Sequence, residues 1–171
     1  MDRCGECGFE YDLDGAQSAG EQIVHGVSRF AVILRNAVTD PRRRVRPEIW
    51  SRLEYGCHLR DVLLVQRERV LAARRVDRPS FEPMGRDERV EHDGYAQQDA
   101  DDVARQLSDA AGLFANVLAR LDGESWDRCV LYNYPTPLER SLRWVAVHTE
   151  HEVRHHLLDV SRQLPENADH A

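Results

Sequence analysis

Eight histidines stand in this 171-residue chain, and four of them, His148, His151, His155 and His156, fall within one short stretch. On a helix each residue advances about 100°, so positions three, four and seven apart share a face. His148, His151 and His155 keep that spacing. His151 and His155 are one turn apart, with Glu152 between them, so their imidazoles can converge on a point beside the helix. Two such nitrogens need partners from another element to complete a metal site. His58 is the candidate, in a run that reads CHLRD, with Glu54 and Asp61 one turn to either side. Neutral imidazole is a good ligand for zinc, nickel or iron. Three protein ligands leave a position for water or substrate, which is the catalytic arrangement. The bland alternative is a set of surface or hydrogen-bonded core histidines. A pair at this spacing on an amphipathic helix weighs against it. Glu152 points somewhat aside and reads as a partner of the ligating imidazoles or as a surface charge.

Other residues compete for chemistry. The string HEVRH, His151 to His155, matches the HExxH pattern of zinc proteases, in which the glutamate activates water. Downstream of it the chain is short and polar, and no sheet is expected to edge a substrate cleft. Cys4 and Cys7 form a CxxCG half-knuckle. Zinc knuckles need four ligands, usually two such pairs, and Cys57 and Cys129 stand alone. Three readings of the pair stay open: a second metal site completed by distant groups, a redox dithiol, or a reduced flexible tail. Cys57 beside His58 is either a reactive thiol or, as an apolar-face cysteine, packed core. Arg42, Arg43, Arg44 and Arg46 are either an anion-binding patch or a solvated basic turn.

Four helical stretches must position these groups. The first, near 17–38, opens on a capping box at Ser18 with Glu21 and buries Ile23, Val27, Phe30 and Leu34 on one stripe. The second, near 48–75, starts after Pro47 and has Gly56 as its weak point. A short link makes these two antiparallel neighbours. Residues 76–98 read as a long connection. The third helix, near 99–122, carries Asp101 and Asp102 at its positive end. The fourth, near 137–163, starts at a capping box in Thr136-Pro137-Leu138-Glu139. Residues 126–134 suit a short extended segment over the end of the helices. With almost no strand pattern, the fold class is all-α, a four-helix bundle over 17–164, with a long crossover between its second and third helices. Residues 1–16 form a CxxC tail and residues 165–171 a second, flexible tail.

Composition narrows the function. The net charge of −7 argues against nucleic acid or an anionic membrane as partner. No apolar run approaches the roughly 20 residues of a membrane span, and the first residues lack a signal-peptide pattern. A cytoplasmic protein with reduced thiols is expected.

The segment WSRLEYGCHLRDVLLVQRERVLAARR, the long link PSFEPMGRDERVEHDGY and the segment ERSLRWVAVHTEHEVRHHLLDV together resemble the DinB-like superfamily. The resemblance covers roughly residues 17 to 163. That superfamily includes the mycothiol-dependent maleylpyruvate isomerases and thiol transferases of actinobacteria, and the arginine-rich, lysine-free composition suits a genome of that kind. The resemblance implies a metal triad at His58, His151 and His155. Some members carry glutamate at the first position on the last helix, where this chain has His151. It also implies a divalent metal, zinc or nickel, and a low-molecular-weight thiol such as mycothiol.

The function expected is a metal-dependent transferase or isomerase that binds a small thiol as thiolate and directs it at an electrophile. Arg140, Arg143 and Arg154 are candidates to hold an anionic group. The alternative is a metal-binding bundle without turnover, a sensor or partner module. A homodimer is compatible with either. An open metal site favours the first and a closed site of four protein ligands the second.

Overall fold

Ile23, Val27, Phe30 and Leu34 are all buried, so the three-and-four spacing gives α1 (Ala19–Leu34) one apolar side. α2 (Arg52–Ala73) differs: Arg52, Glu54, His58, Asp61, Gln66 and Arg69 are buried along with Leu53, Leu59 and Leu63. The remaining elements are β1 (Ser80–Phe81), α3 (Arg86–His92), α4 (Ala100–Leu118), α5 (Gly123–Trp126), β2 (Cys129–Asn133), β3 (Pro137–Ser141) and α6 (Leu142–Ser161). This computed structural model describes residues 3–36, 39–133 and 136–165. The expected end of the first helix near Val38 lies outside the described residues; α1 itself closes at Leu34. Among the described residues no helix is long and apolar enough to cross a membrane.

The four long helices α1, α2, α4 and α6 form the bundle. α1 and α2 each pack against both α4 and α6 and touch one another only slightly. The expectation that the first two helices are antiparallel neighbours is therefore corrected: they lie across the bundle from each other. The buried Arg52 guanidinium anchors the link between them, donating to the carbonyls of Ile33 (3.2 Å) and Thr39 (2.6 Å). Gly56 lets the helices pack closely, because a Cβ there would stand 3.0 Å from Leu34 Cδ2 and 3.3 Å from Val103 Cγ1, so those side chains would have to shift by a few tenths of an ångström.

Two helix starts differ from expectation. Ser18 makes no side-chain cap, and α1 is entered through a 3-10 turn at Ala16–Ser18. A full capping box sits instead at Ser51 and Glu54, opening α2. The capping box expected at Thr136 is absent as well. Pro137–Ser141 is β3, antiparallel to β2, and α6 begins five residues later, capped by Ser141 accepting from the Trp144 N–H (3.2 Å). A helix begun at Pro137 would leave the backbone groups of β2 unpaired, whereas β3 satisfies them. β1 pairs with β2 in parallel, completing a small sheet. The extended segment expected within 126–134 is β2, with Tyr134 outside the described residues.

The long connection is ordered by one buried charge. Asp61 accepts from Tyr95 Oη (2.7 Å), Arg89 (3.0 Å) and Arg60 (2.9 Å). Arg60 also donates to Asp93, Gln98 and Gln106. This network holds α3 beside the middle of α2. Residues 3–16, expected as a tail, are folded against α6, with Cys4 and Phe9 buried in the main core.

Candidate metal centre

The last helix carries the same spacing twice. His151 and His155 are four residues apart, and so are Glu152 and His156. The two pairs are offset by one residue, so they point about 100° apart around α6 and meet different neighbours.

Glu152 and His156 face α2, where they meet His58. His58 Nε2 lies 3.9 Å and His156 Nε2 3.6 Å from Glu152 Oε2, and the three residues form one potential donor group. Burial alone would raise the Glu152 carboxyl, but the His156 and His58 imidazoles beside it hold it well below the ordinary carboxylate range. Burial pushes His58 down, towards the neutral form that ligates. Burial opposes charge on His156 too, yet Asp159 and Glu152 outweigh it and raise its pKa. His156 Nδ1 lies 3.0 Å from Asp159 Oδ2, so its N–H donates there and Nε2 is left for Glu152 and His58. A carboxylate behind an imidazole is how ligating histidines are oriented.

His151 and His155 turn the other way, to the N-terminal segment. They form a second potential donor group with Cys4 and Cys7. The triad of His58 with His151 and His155 is therefore not assembled: the structure divides it between two clusters. Glu152, expected to be a partner or surface charge, takes the central place beside His58. Glu54 and Asp61 are engaged elsewhere. Glu54 accepts both Arg44 nitrogens (2.8 and 2.6 Å), and Asp61 organises the long connection. His148 bridges the clusters in space. Its Nδ1 lies 3.0 Å from Tyr11 Oη, and the same hydroxyl lies 2.9 Å from His151 Nδ1. A hydroxyl has one proton, so one of these imidazoles accepts it and the other donates its own. Burial lowers His148 to about 4.

The bland reading of the histidines predicts satisfied core hydrogen bonds. Two ring nitrogens break that rule: His58 Nδ1 and His151 Nε2 are buried without a partner among the described residues. Two imidazoles and an ionised carboxylate are a suitable donor set for a divalent transition metal, so the residues fit the metal that the family resemblance implies.

Surroundings set what this site can do. His58 and Glu152 open on a cavity of about 630 Å³ between α2, α6, β2, β3 and the start of α3. Val62, Met84, Leu138, Tyr132 and Trp144 give it apolar walls. Arg69 and Arg140 give it positive charge. The Arg69 guanidinium stacks on Tyr132 (4.5 Å) and Arg140 on Trp144 (4.6 Å). Among the described residues neither is paired with a carboxylate. Arg69 was missed by the sequence reading, since nothing in RER distinguishes a buried arginine from a solvated one. Of the other arginines considered, Arg143 is tied to Asp127 (2.8 Å) and Arg154 sits over Phe9 (5.8 Å). The basic turn is largely structural, with Arg44 on Glu54 and Arg42 donating to the Gln98 carbonyl (2.7 Å). Cys57 is buried core, its thiol pushed up by burial to about 12. A second cavity, about 650 Å³, adjoins His155, His156 and Asp159 and is walled by Trp50, Tyr55 and Arg86.

Comparison with known proteins agrees with this architecture. No curated protein matches the chain. A solved structure, YfiT from Bacillus subtilis, superposes with a TM-score of 0.67 over 84% of this chain and 86% of that one, at 16% identity. YfiT is described as a probable metal-dependent hydrolase with an unusual four-helix bundle topology. The model of the DinB superfamily matches residues 29–160, which include His58, Glu152 and His156. With most of its length matched and a bundle of the same topology, this chain belongs to the DinB superfamily.

Proposed function

We propose that this protein is a metal-dependent enzyme that joins a low-molecular-weight thiol, of the mycothiol type, to an anionic electrophile or isomerises such a substrate through the thiol. The observation that carries the reading is the opening of His58 and Glu152, two of the three clustered donors, onto a roomy cavity lined by two arginines that have no carboxylate partner among the described residues. A closed site of four protein ligands would have suited a sensor; three donors beside a cavity suit turnover. His58, Glu152 and His156 would hold a divalent metal, zinc or nickel, which would supply Lewis acidity favouring the thiolate form of a thiol at neutral pH.

The chain's own residues do the rest. Asp159 fixes His156 and so aims its Nε2. Arg69 and Arg140 hold an anionic group of the substrate, their guanidinium planes kept in place by Tyr132 and Trp144. Val62, Met84 and Leu138 offer the electrophile an apolar wall. His148, kept neutral by burial beside Glu152, is placed to take or return a proton at the cavity edge.

Hydrolysis is the second reading, favoured by the description of YfiT and by the position of His148 as a base for water. Metal-loaded protein should be given an electrophile with and without mycothiol or a simpler thiol, and separately a panel of esters and amides. Turnover that needs metal and thiol together supports the first reading. Turnover of esters or amides without thiol transfers the case to the second, and thiol binding that is equal with and without metal defeats the first.

A further inference from the structure

Cys4, Cys7, His151 and His155 are not used by the function proposed above. One ligand atom from each lies within 4.8 Å of all the others, the spread of a tetrahedral donor set seen without its ion. Cys4 Sγ is 3.6 Å from His155 Nδ1. Cys4 is buried and His151 nearly so, while Cys7 and His155 are half-buried.

The local backbone is built to present two sulfurs. Gly8 N–H donates to the Cys4 carbonyl (3.0 Å), and Cys4 N–H to the Phe9 carbonyl (2.8 Å), closing a tight turn around both cysteines. Gly8 holds φ +70°, a conformation that a side chain would strain. An isolated bridge between Arg3 and Glu10 seals the base of the turn.

An independent observation comes from the helix. His151 Nε2 is buried and has no hydrogen-bond partner among the described residues, while its Nδ1 is held by Tyr11 Oη at 2.9 Å. A ring oriented through one nitrogen, with the other left bare, is how a metal-ligating histidine is arranged.

We propose that Cys4, Cys7, His151 and His155 form a second metal site that binds zinc and staples the N-terminal segment to α6. Two thiolates and two imidazoles are the donor set of closed structural zinc sites. Both thiols surrender their protons to the buffer as the metal enters. The clip holds residues 4–11 on the helix and thereby fixes Tyr11, which lines the cavity of the first site. One helix thus serves two metals, with the Tyr11 hydroxyl and His148 between them.

The inference stands independently of the proposed reaction, because its donors are distinct. Full-length protein purified with zinc should hold two metals per chain. X-ray absorption should show sulfur neighbours at about 2.3 Å and nitrogen at about 2.0–2.1 Å. Cobalt-loaded protein should show a thiolate-to-metal charge-transfer band. Cys4→Ser/Cys7→Ser should lose the sulfur signal and one metal, whereas His58→Ala/His156→Ala should lose one metal and keep the sulfur signal. Should the cysteine variant fail to fold, the wild-type absorption and cobalt spectra still decide. A wild-type metal shell without sulfur at full loading overturns the proposal. So does equal alkylation of Cys4 and Cys7 in zinc-loaded and chelator-treated protein.

Discussion

Two donor clusters share one helix and differ in almost every other respect. His58, Glu152 and His156 join two helices of the bundle, and His58 and Glu152 line a cavity of about 630 Å³. Cys4, Cys7, His151 and His155 join a helix to a tight turn, four donors with Phe9 packed on the His151 ring at 5.3 Å. The first arrangement leaves room for a substrate, and the second uses its donors up. The difference shows that ligand spacing along a helix says little about role. Four-residue spacing produces both clusters; which partners come to meet it decides whether the donor set is three groups beside a cavity or four groups closed on one another.

Breaking the open cluster should have the largest effect. His156→Ala removes one of three donors and should abolish metal uptake at that site and all metal-dependent turnover, while sulfur-ligated metal stays. Elemental analysis with cobalt spectroscopy checks it; loss of both metals together would mean that the clusters are one cooperative unit. Breaking the closed cluster comes next. A strong chelator should lower the unfolding temperature of wild-type protein markedly, because a metal bound to the folded state alone stabilises it. Cys4→Ser/Cys7→Ser should start near that lowered value and respond little to the chelator, as differential scanning calorimetry would show.

Smaller changes sharpen the contrast. Asp159→Asn keeps every donor but weakens the aim of His156, and should reduce metal affinity at the open site roughly 10–100-fold, measured by competition with a chromophoric chelator. Arg69→Ala or Arg140→Ala should raise KM for an anionic substrate about 10-fold or more, the value of a hydrogen bond to a charged group, with metal content unchanged.

The smallest expected effect touches neither cluster. Glu54 caps α2 and accepts a bidentate Arg44. Burial alone would raise its pKa, but Arg44 and the Ser51 groups bring it below the ordinary value. A lowered folded-state pKa gives stability that is present above the unfolded value and lost as pH falls through the folded one. Glu54→Gln should therefore cost about 1–2 kcal/mol at neutral pH, and the gap from wild type should close in acid. Urea unfolding at several pH values measures it; a gap that widened in acid would contradict the assignment.

Some of this was readable from residues alone. The apolar stripe of α1 and the acidic start of α4 followed from helical periodicity and capping chemistry, which are local. The region of potential metal donors was legible for the same reason: histidines clustered on one helix announce themselves, and His58 was singled out on the second. The choice of pair was not legible. His151 with His155 and Glu152 with His156 satisfy one spacing rule equally, and only the rotation of α6 in the bundle separates them. Local signals also misplaced the start of that helix, since Pro137 and Glu139 suit a helix end as well as they suit β3. The outcome turned on β2, a neighbour whose backbone needed a partner.

The sequence by itself determined that four long helices would form and that the last would be rich in potential metal donors, because such properties depend on residues within a turn of each other. Only the tertiary structure decided which donor meets which. It placed α1 and α2 across the bundle, brought Cys4 and Cys7 to His151 and His155 from more than a hundred residues away, and left Arg69 buried beside a cavity. The reason is that these contacts are made between faces of different elements. A face is defined by rotation and packing, which depend on every helix at once and are written in no single stretch of the chain.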